Sequence, residues 1–145
     1  GDVSEYGAAR FFRRTGEGVY DMADLALRTA KMRRFAAGLK AERSPSRVVG
    51  LGYSNGANIL ASVLFEDAGL FVDAILMHPL IPFEPAPNPG LKGRRVLITA
   101  GRNDPICPPA LTERLGAYFR GQGADLSLQW HDGGHGVERV TNFRF

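Results

Sequence analysis

Residues 52–56 read G-Y-S-N-G, a G-x-S-x-G pattern that lies between a short apolar run and a helical stretch. In this strand–turn–helix context the turn is tight, and the serine hydroxyl points out of the sheet. Such a tight turn requires very small residues at Gly52 and Gly56. The pattern therefore predicts Ser54 as a nucleophile toward a carbonyl carbon, with the backbone N–H of Asn55 facing the oxyanion that forms.

A serine is a good nucleophile at neutral pH when a histidine accepts its proton and a carboxylate orients that histidine. Two downstream segments supply these residue types in the order acid, then base. Asp104 lies in G-R-N-D-P-I-C-P, and His135 lies in H-D-G-G-H-G. Each segment follows a predicted strand, as Ser54 does, so we expect the three side chains to meet at one edge of the sheet.

Other residues compete for the same roles. His131 is the alternative base, but His135 is favoured because the glycines around it allow it to reach the serine. His78 ends a predicted strand and is expected to be a packed or pocket-lining histidine. Asp73 and Asp132 are weaker candidates for the acid, because Asp73 opens its strand at the opposite edge and Asp132 adjoins the histidine loop.

Structural roles are the alternative for several of these residues. The Ser54 hydroxyl could cap the following helix, and an aspartate before a proline, as Asp104 is, is common in turns. Cys107 has no adjacent histidine in the sequence to activate it and is expected to fill packing space. The agreement of residue type, chain order and placement favours the catalytic interpretation.

Alternating strand and helix patterns would position these residues. An amphipathic spacing with Asp21 as N-cap predicts the first helix, and the first strand is expected to be buried on both faces. The predicted elements are a helix over residues 20–42, a strand over 47–52, a helix over 55–66, a strand over 71–77, a proline-rich loop over 80–90, a strand over 95–100, a helix over 108–120 and a strand over 126–130.

This alternation predicts an α/β fold in which helices flank a mostly parallel sheet. Active sites of such folds gather at the carboxyl ends of the strands. No linker divides the chain, so residues 1–145 are expected to form a single domain.

Composition narrows the class of protein. The chain has 145 residues, 44% of them hydrophobic, with a formal net charge of +3. These values are typical of a soluble globular domain and exclude general disorder. No apolar stretch reaches the roughly 18 residues of a membrane-spanning helix. The small excess of basic residues is typical of solvated helix faces, so no nucleic-acid partner is expected.

Cysteine and histidine usage adds two expectations. Cys107 is the single cysteine of the chain, so an internal disulfide is excluded. No Cys/His spacing of the zinc-site type is present. We therefore expect a cytoplasmic protein that uses no metal and no organic cofactor.

Four segments together resemble a known group of enzymes. They are R-V-V-G-L-G-Y-S-N-G-A-N-I-L-A, M-H-P-L-I-P-F-E-P, A-G-R-N-D-P-I-C-P and W-H-D-G-G-H. This combination resembles the α/β-hydrolase fold and, within it, the phospholipase/carboxylesterase group that includes acyl-protein thioesterase-like esterases. The resemblance runs from residue 1 to about residue 136.

The resemblance implies Ser54 as nucleophile, Asp104 as acid and His135 as base, the same assignment that spacing favours. It also implies that the opening segment, G-D-V-S-E-Y-G-A-A-R-F-F-R-R, lies near the pocket entrance. In this group, earlier strands and an HG-type loop with a second oxyanion-hole N–H precede such a segment, and a final helix follows the histidine loop. The chain is therefore expected to be a C-terminal portion of a larger hydrolase.

These observations predict a serine hydrolase that cleaves small-molecule carboxylic esters or thioesters. Tyr53, Ile81, Phe83 and Trp130 are the expected pocket residues, and a free sheet edge could support a homodimer. One alternative is a catalytically silent interaction module. Another is a nucleotide-binding half-domain, suggested by V-V-G-L-G-Y-S-N-G, although Asn55 stands where that motif needs glycine.

Overall fold

A computed structural model describes residues 3–138 of the chain. Two short hairpins come first, then a long helix, then alternating strands and helices. In chain order the elements are β1 (Val3–Glu5), β2 (Ala8–Arg10), β3 (Arg14–Gly16), β4 (Val19–Tyr20), α1 (Met22–Arg43), β5 (Val49–Tyr53), α2 (Asn55–Glu66), β6 (Asp73–Met77), β7 (Arg95–Gly101), α3 (Pro109–Gly121) and β8 (Asp125–His131). No helix in the described part of the chain is long and apolar enough to cross a membrane.

Strands β5, β6, β7 and β8 form one sheet in that order, and each neighbouring pair is parallel. The predicted α/β fold with a parallel, helix-flanked sheet is thus confirmed. Because the strands run the same way, the segments that follow them emerge at one edge. Ser54 follows β5 there, the acid loop (residues 102–108) follows β7, and the histidine loop (residues 132–136) follows β8.

The predicted N-cap of helix α1 is confirmed, although the helix spans Met22–Arg43 rather than residues 20–42. Asp21 caps it, since Asp21 Oδ1 accepts a hydrogen bond from the Asp24 N–H at 3.0 Å. The predicted apolar stripe is only partly buried. Leu25 packs inside, whereas Phe35 and Leu39 remain 61% and 41% exposed. The C-terminal half of α1 faces an open groove rather than the core, which explains the difference.

Strand β5 departs most from its prediction. It spans Val49–Tyr53 rather than residues 47–52, and the expectation of burial on both faces is wrong. Val49, Leu51 and Tyr53 are 46%, 65% and 40% exposed. The exposed residues alternate along β5, so one face of the strand lacks a covering layer while Gly50 and Gly52 on the other face pack against α2. Its outward side chains, with those of α1, line an open groove of about 650 Å³.

The main core lies between the sheet and helices α2 and α3. The proline-rich loop is held against it at both ends. The Leu80 N–H donates to Asn58 Oδ1 at 2.7 Å, and Asn88 Nδ2 donates to the carbonyls of Leu64 and Phe65 at 3.3 and 2.9 Å. Large buried residues of this core are Leu64, Leu76, Leu91, Ile98 and Phe119.

A buried carboxylate lies at the opposite, amino-terminal edge of the sheet. The side chain of Asp73 is 1% exposed and accepts hydrogen bonds from Arg95 Nε at 2.6 Å and Nη2 at 2.9 Å. Arg47 also donates to it. The hydrogen bonds from Arg95 lower the pKa of Asp73 despite its burial. Asp73 therefore stabilises the start of β6 and lies at the far edge from Ser54, as predicted.

Candidate active site

The turn between β5 and α2 holds Ser54 in an unusual backbone conformation. Ser54 has φ 52° and ψ −118°, outside the regions that L-residues favour. The Ser54 N–H donates to the Met77 carbonyl at 2.9 Å, and the Ser54 carbonyl accepts from the Asn58 N–H at 3.0 Å. The hydroxyl makes no capping hydrogen bond to α2, so the alternative that Ser54 is a side-chain cap is wrong.

The two glycines of the turn differ in how much space they have. A Cβ on Gly52 would lie 2.4 Å from the Gly56 carbonyl oxygen and 2.7 Å from the Ala57 nitrogen, distances that the backbone forbids. The steric requirement at Gly52 is thus confirmed. A Cβ on Gly56 would meet only the Phe11 ring, at an ordinary 3.5 Å. The same requirement at Gly56 is wrong, because this residue faces a side chain rather than backbone.

The structure brings Ser54, Asp104 and His135 together. His135 Nε2 lies 2.9 Å from Ser54 Oγ, and His135 Nδ1 lies 2.7 Å from Asp104 Oδ2. Both are hydrogen-bond distances of the kind that link a nucleophile to a base and the base to an orienting acid. The three residues come from the carboxyl ends of three different strands, so the parallel sheet creates the arrangement.

Asp104 is a buried carboxylate that accepts hydrogen bonds at both oxygens. Oδ2 contacts His135 Nδ1 at 2.7 Å and His78 Nδ1 at 3.1 Å, while Oδ1 accepts from the backbone N–H groups of Ile106 and Cys107 at 2.8 and 3.1 Å. Burial by itself would raise the pKa of Asp104, but these hydrogen bonds, the one from His135 first, lower that pKa to about 2. The side chain is therefore ionised at neutral pH.

The loops that carry the acid and the histidine pack backbone against backbone. A Cβ on Gly101 would lie 2.2 Å from the Gly134 carbonyl oxygen, so glycine is required for this approach. Asn103 Nδ2 also donates to the Asp132 carbonyl at 2.6 Å. Because the two loops contact each other directly, the distance between Asp104 and His135 is fixed by the scaffold.

Tyr53, a predicted pocket residue, contacts the histidine loop. Its hydroxyl donates to the His135 carbonyl at 2.8 Å, and the Tyr53 and His135 rings lie 5.6 Å apart. The tyrosine thus holds the backbone of His135 from the β5 side. This contact joins residues far apart in the chain, so no local pattern could have revealed it.

His78 and His131 form a second group beside Asp104. His131 Nε2 lies 3.1 Å from His78 Nε2, and His78 Nδ1 lies 3.1 Å from Asp104 Oδ2. His78 is 1% exposed, which confirms that it is a packed histidine. Burial is the main cause that lowers the pKa of His78, despite its bond to Asp104. Sequence reasoning missed the contact between His78 and Asp104, because only the pairing of β6 with β7 creates it.

A polar hollow of about 60 Å³ opens beside Ser54. The N-terminal hairpins supply part of its wall, which agrees with the expectation that the opening segment lies near the pocket entrance. The Phe11 N–H donates to Asn55 Oδ1 at 2.7 Å and ties this segment to the residue after the serine. The hairpin residues that line the hollow are Arg10, Phe12, Arg14, Glu17, Gly18 and Tyr20. Sequence reasoning missed their strands, because strands of two or three residues carry no readable periodicity.

The other predicted pocket residues do not line this hollow. Ile81 is 4% exposed and belongs to the main core. Phe83 packs edge-on against Phe65, with ring centres 6.2 Å apart. Trp130 lies under the Arg102 guanidinium, 5.4 Å from its ring centre. The chain turns inward after Leu80, so Ile81 and Phe83 pack against the core, whereas Trp130 lies on β8 against Arg102.

Cys107 lies close to the site but remains a protonated thiol. It is 2% exposed, and its Sγ is 3.9 Å from His135 Nδ1. Burial, followed by the nearby Asp104 carboxylate, raises the pKa of Cys107 to about 12. This supports the expectation that the cysteine fills packing space.

One group of side chains in the described part of the chain is close enough to share a metal ion. It consists of His78, Asp104 and His135, whose ligand atoms lie within 4.8 Å of one another. In the structure both imidazole Nδ1 atoms instead face the same Asp104 oxygen at hydrogen-bond distance.

Several known proteins are similar to this chain in sequence and in fold. The chain is 43% identical over 137 residues to the Bacillus subtilis protein named "Putative hydrolase MhqD", covering 93% of this chain and 68% of that protein. A solved structure of Atu2452, a protein of unknown function from Agrobacterium tumefaciens, is 56% identical with a TM-score of 0.88, covering 95% of this chain and 68% of that one. The Bacillus cereus carboxylesterase is 39% identical with a TM-score of 0.86, covering 95% of this chain and 66% of that one. No family profile matches the chain.

These similarities, with the parallel sheet and the strand-end site, define an α/β-hydrolase. The chain belongs to the α/β-hydrolase superfamily and, within it, to the phospholipase/carboxylesterase group. Two of these relatives are named as a hydrolase and a carboxylesterase.

Proposed function

We propose that the protein is a serine hydrolase that cleaves small-molecule carboxylic esters or thioesters through an acyl-enzyme. The observation that carries this proposal is the chain of two hydrogen bonds from Ser54 Oγ to His135 Nε2, at 2.9 Å, and from His135 Nδ1 to Asp104 Oδ2, at 2.7 Å. The carboxylesterase name of the Bacillus cereus relative supports an ester as substrate.

In the first half of the reaction, Ser54 Oγ attacks the acyl carbonyl carbon while His135 Nε2 accepts the hydroxyl proton. The ionised Asp104 stabilises the imidazolium through Nδ1. When the tetrahedral intermediate collapses, the bond to the alcohol or thiol breaks, and His135 returns the proton to that leaving group. The acyl group remains on Ser54 as an ester.

In the second half, a water molecule gives a proton to His135 and attacks the acyl carbon. The proton then returns to Ser54 Oγ as the carboxylic acid leaves. In both intermediates the oxyanion would accept a hydrogen bond from the Asn55 N–H. As the first residue of α2, Asn55 has an amide outside the helix's own hydrogen bonds, so this amide suits the role.

Intact-mass measurement after treatment with a fluorophosphonate tests the proposal. The probe phosphonylates an activated serine with loss of fluoride. We expect one adduct on the protein, no adduct on Ser54→Ala, and an unchanged adduct on Ser46→Ala, which replaces an exposed serine. A folded protein that forms no adduct, or an adduct that persists in Ser54→Ala, would show that the proposed nucleophile is wrong.

A further inference from the structure

His78 is a buried histidine that the proposed reaction does not use. It directly follows β6 with a φ of 51°, a left-handed conformation that is unusual for a residue with a side chain. Its N–H donates to the Thr99 carbonyl at 2.8 Å, and its own carbonyl accepts from Cys107 Sγ at 3.5 Å. These backbone contacts aim the imidazole at the acid loop, where it meets Asp104.

The hydrogen-bond network assigns the proton on each ring of this group. The Gly133 N–H donates to His131 Nδ1 at 3.1 Å, so this nitrogen is an acceptor and the His131 proton is on Nε2. His131 Nε2–H then donates to His78 Nε2, 3.1 Å away. His78 Nε2 is therefore also an acceptor, and its proton is on Nδ1, facing Asp104 Oδ2 at 3.1 Å.

We infer that His78 is a positioning residue for the reaction, whose Nδ1–H holds the Asp104 carboxylate in register with His135, while His131 keeps His78 in the required tautomer. This inference rests on the proposed function. Asp104 Oδ2 then receives two imidazole N–H groups, one from the base and one from a histidine that does not touch Ser54. The second donor restricts rotation of the carboxylate and shares its negative charge.

Loss of the His78 hydrogen bond should change how the reaction rate depends on pH. Without the His78 donor, more of the Asp104 charge acts on His135, which favours the imidazolium and moves the acidic limb of the rate profile to higher pH. The same titratable groups surround residue 78 in the parent protein and in its substitution variants, because the fold sets their positions. They are Tyr53, Asp104, Cys107, His131, His135 and, 3.6 Å from His131 Nδ1, Glu138.

The kinetic test compares His78→Leu with His78→Asn, using hydrolysis of a p-nitrophenyl acyl ester across pH. Asparagine can place its amide N–H where the histidine has Nδ1–H, whereas leucine fills space without a donor. We expect His78→Leu to lower kcat/KM about tenfold, the usual effect of losing a hydrogen bond to a charged group. The acidic limb should also move to higher pH. His78→Asn should stay within about threefold of the parent with an unshifted limb.

A second measurement determines which nitrogen of His78 and of His131 carries the proton, and it does not depend on enzyme activity. Long-range ¹⁵N correlation spectra of the protein near pH 7.5 should show His78 protonated at Nδ1 and His131 protonated at Nε2. A His78 proton on Nε2 would overturn the inference. So would equal loss of kcat/KM and an unshifted acidic limb in both His78 variants.

The two proposals fail in different ways. If the parent protein forms no fluorophosphonate adduct at Ser54, the proposed function is wrong, and the positioning role falls with it. If the parent reacts normally and His78→Leu reacts equally well with the same pH profile, only the inference about His78 is wrong.

Discussion

At the scale of single residues, the site depends on one buried carboxylate. Asp104 is ionised because imidazole and backbone N–H groups surround it, not because it is solvated. In a low-dielectric interior, an ionised acceptor is much more sensitive to the loss of a donor than a surface carboxylate is. Removing the charge of Asp104 should therefore lower the rate of ester hydrolysis strongly, whereas removing the charge of an exposed acid should not.

Replacing Asp104 by asparagine should lower kcat for ester hydrolysis by about 10³- to 10⁴-fold, because the amide no longer stabilises the imidazolium or selects the His135 tautomer. Steady-state kinetics at pH 7.5 would measure this. Asp132→Asn is the matched control, since its side chain is 96% exposed, and it should keep the parental rate. A comparable loss in both variants would argue against Asp104 as the acid.

The buried His78 should make stability depend on pH. Its pKa lies below its ordinary value of 6.5, with burial as the first cause. Between the lowered pKa of His78 in the folded protein and 6.5, the unfolded chain binds a proton at this histidine that the folded chain does not, so the free energy of unfolding falls as the pH falls through that window. The slope from this group should reach up to about 1.4 kcal/mol per pH unit.

Urea unfolding between pH 7.5 and 5.5 would measure that slope. His78→Asn cannot take up the proton in either state, so its slope should be smaller than that of the parent. Asp104 adds little in this range, because its pKa in the folded protein is about 2 and its contribution is lost only at much lower pH. Identical slopes in both proteins would contradict the assignment.

At the scale of elements, the β5–α2 turn sets the position of the nucleophile. Gly52 lets the end of β5 pass against the start of α2, where a Cβ would overlap the Gly56 carbonyl. That close passage produces the unusual backbone of Ser54 and lifts its hydroxyl to the edge of the sheet. The acid loop follows β7 and the histidine loop follows β8, and both lie at the edge of the sheet that holds this turn. The packing of these two loops therefore decides whether His135 lies within hydrogen-bond distance of the Ser54 hydroxyl.

Gly52→Ala should destabilise the protein by about 3 kcal/mol, since the overlap is with backbone that cannot rotate away. It should also slow fluorophosphonate labelling, because the turn must open. Gly56→Ala is the matched control, and it should unfold within about 0.5 kcal/mol of the parent because its Cβ makes an ordinary contact. Urea unfolding and labelling rates would distinguish the two, and equal stability would show that the turn has more room than the structure indicates.

At the scale of the whole molecule, the N-terminal hairpins join the site through a small second core. Phe12, Leu25 and Ile59 are buried together, and they come from the hairpin segment, α1 and α2. Phe12 is 1% exposed and meets the Tyr20 ring edge-on, with centres 4.7 Å apart. This cluster holds the hairpins beside Ser54, so stability and access to the site should be linked through it.

Phe12→Ala should lower the free energy of unfolding by about 3–5 kcal/mol through the cavity it leaves. Hydrogen exchange should increase in residues 3–20 more than in the parallel sheet, because the hairpins lose their anchor. Tyr6→Ala is the control, since Tyr6 is 99% exposed and its loss should change neither quantity. Uniform exchange across the hairpins and the sheet would mean that they unfold as a single unit.

The amino-acid sequence by itself determined the features that depend on residues close together in the chain. The strand–turn–helix context of Ser54, the N-cap of α1 at Asp21 and the bounds of α2 all depend on neighbouring residues, and each was readable from the sequence. The acid and base candidates were readable too, because parallel strands deliver the residues that follow them to one edge. These inferences need only residue type, spacing and the direction of the strands.

The tertiary structure decided the contacts between distant segments. Burial of β5 depends on what packs over each face of the strand, so its exposed face could not be inferred from an apolar run. The contact of His78 with Asp104 depends on the order of β6 and β7 and on the path of a loop. The core position of Ile81 and the short hairpins could not be read from the sequence for the same reason. Side-chain direction after an irregular segment is set by packing against residues far along the chain, and no local spacing records it.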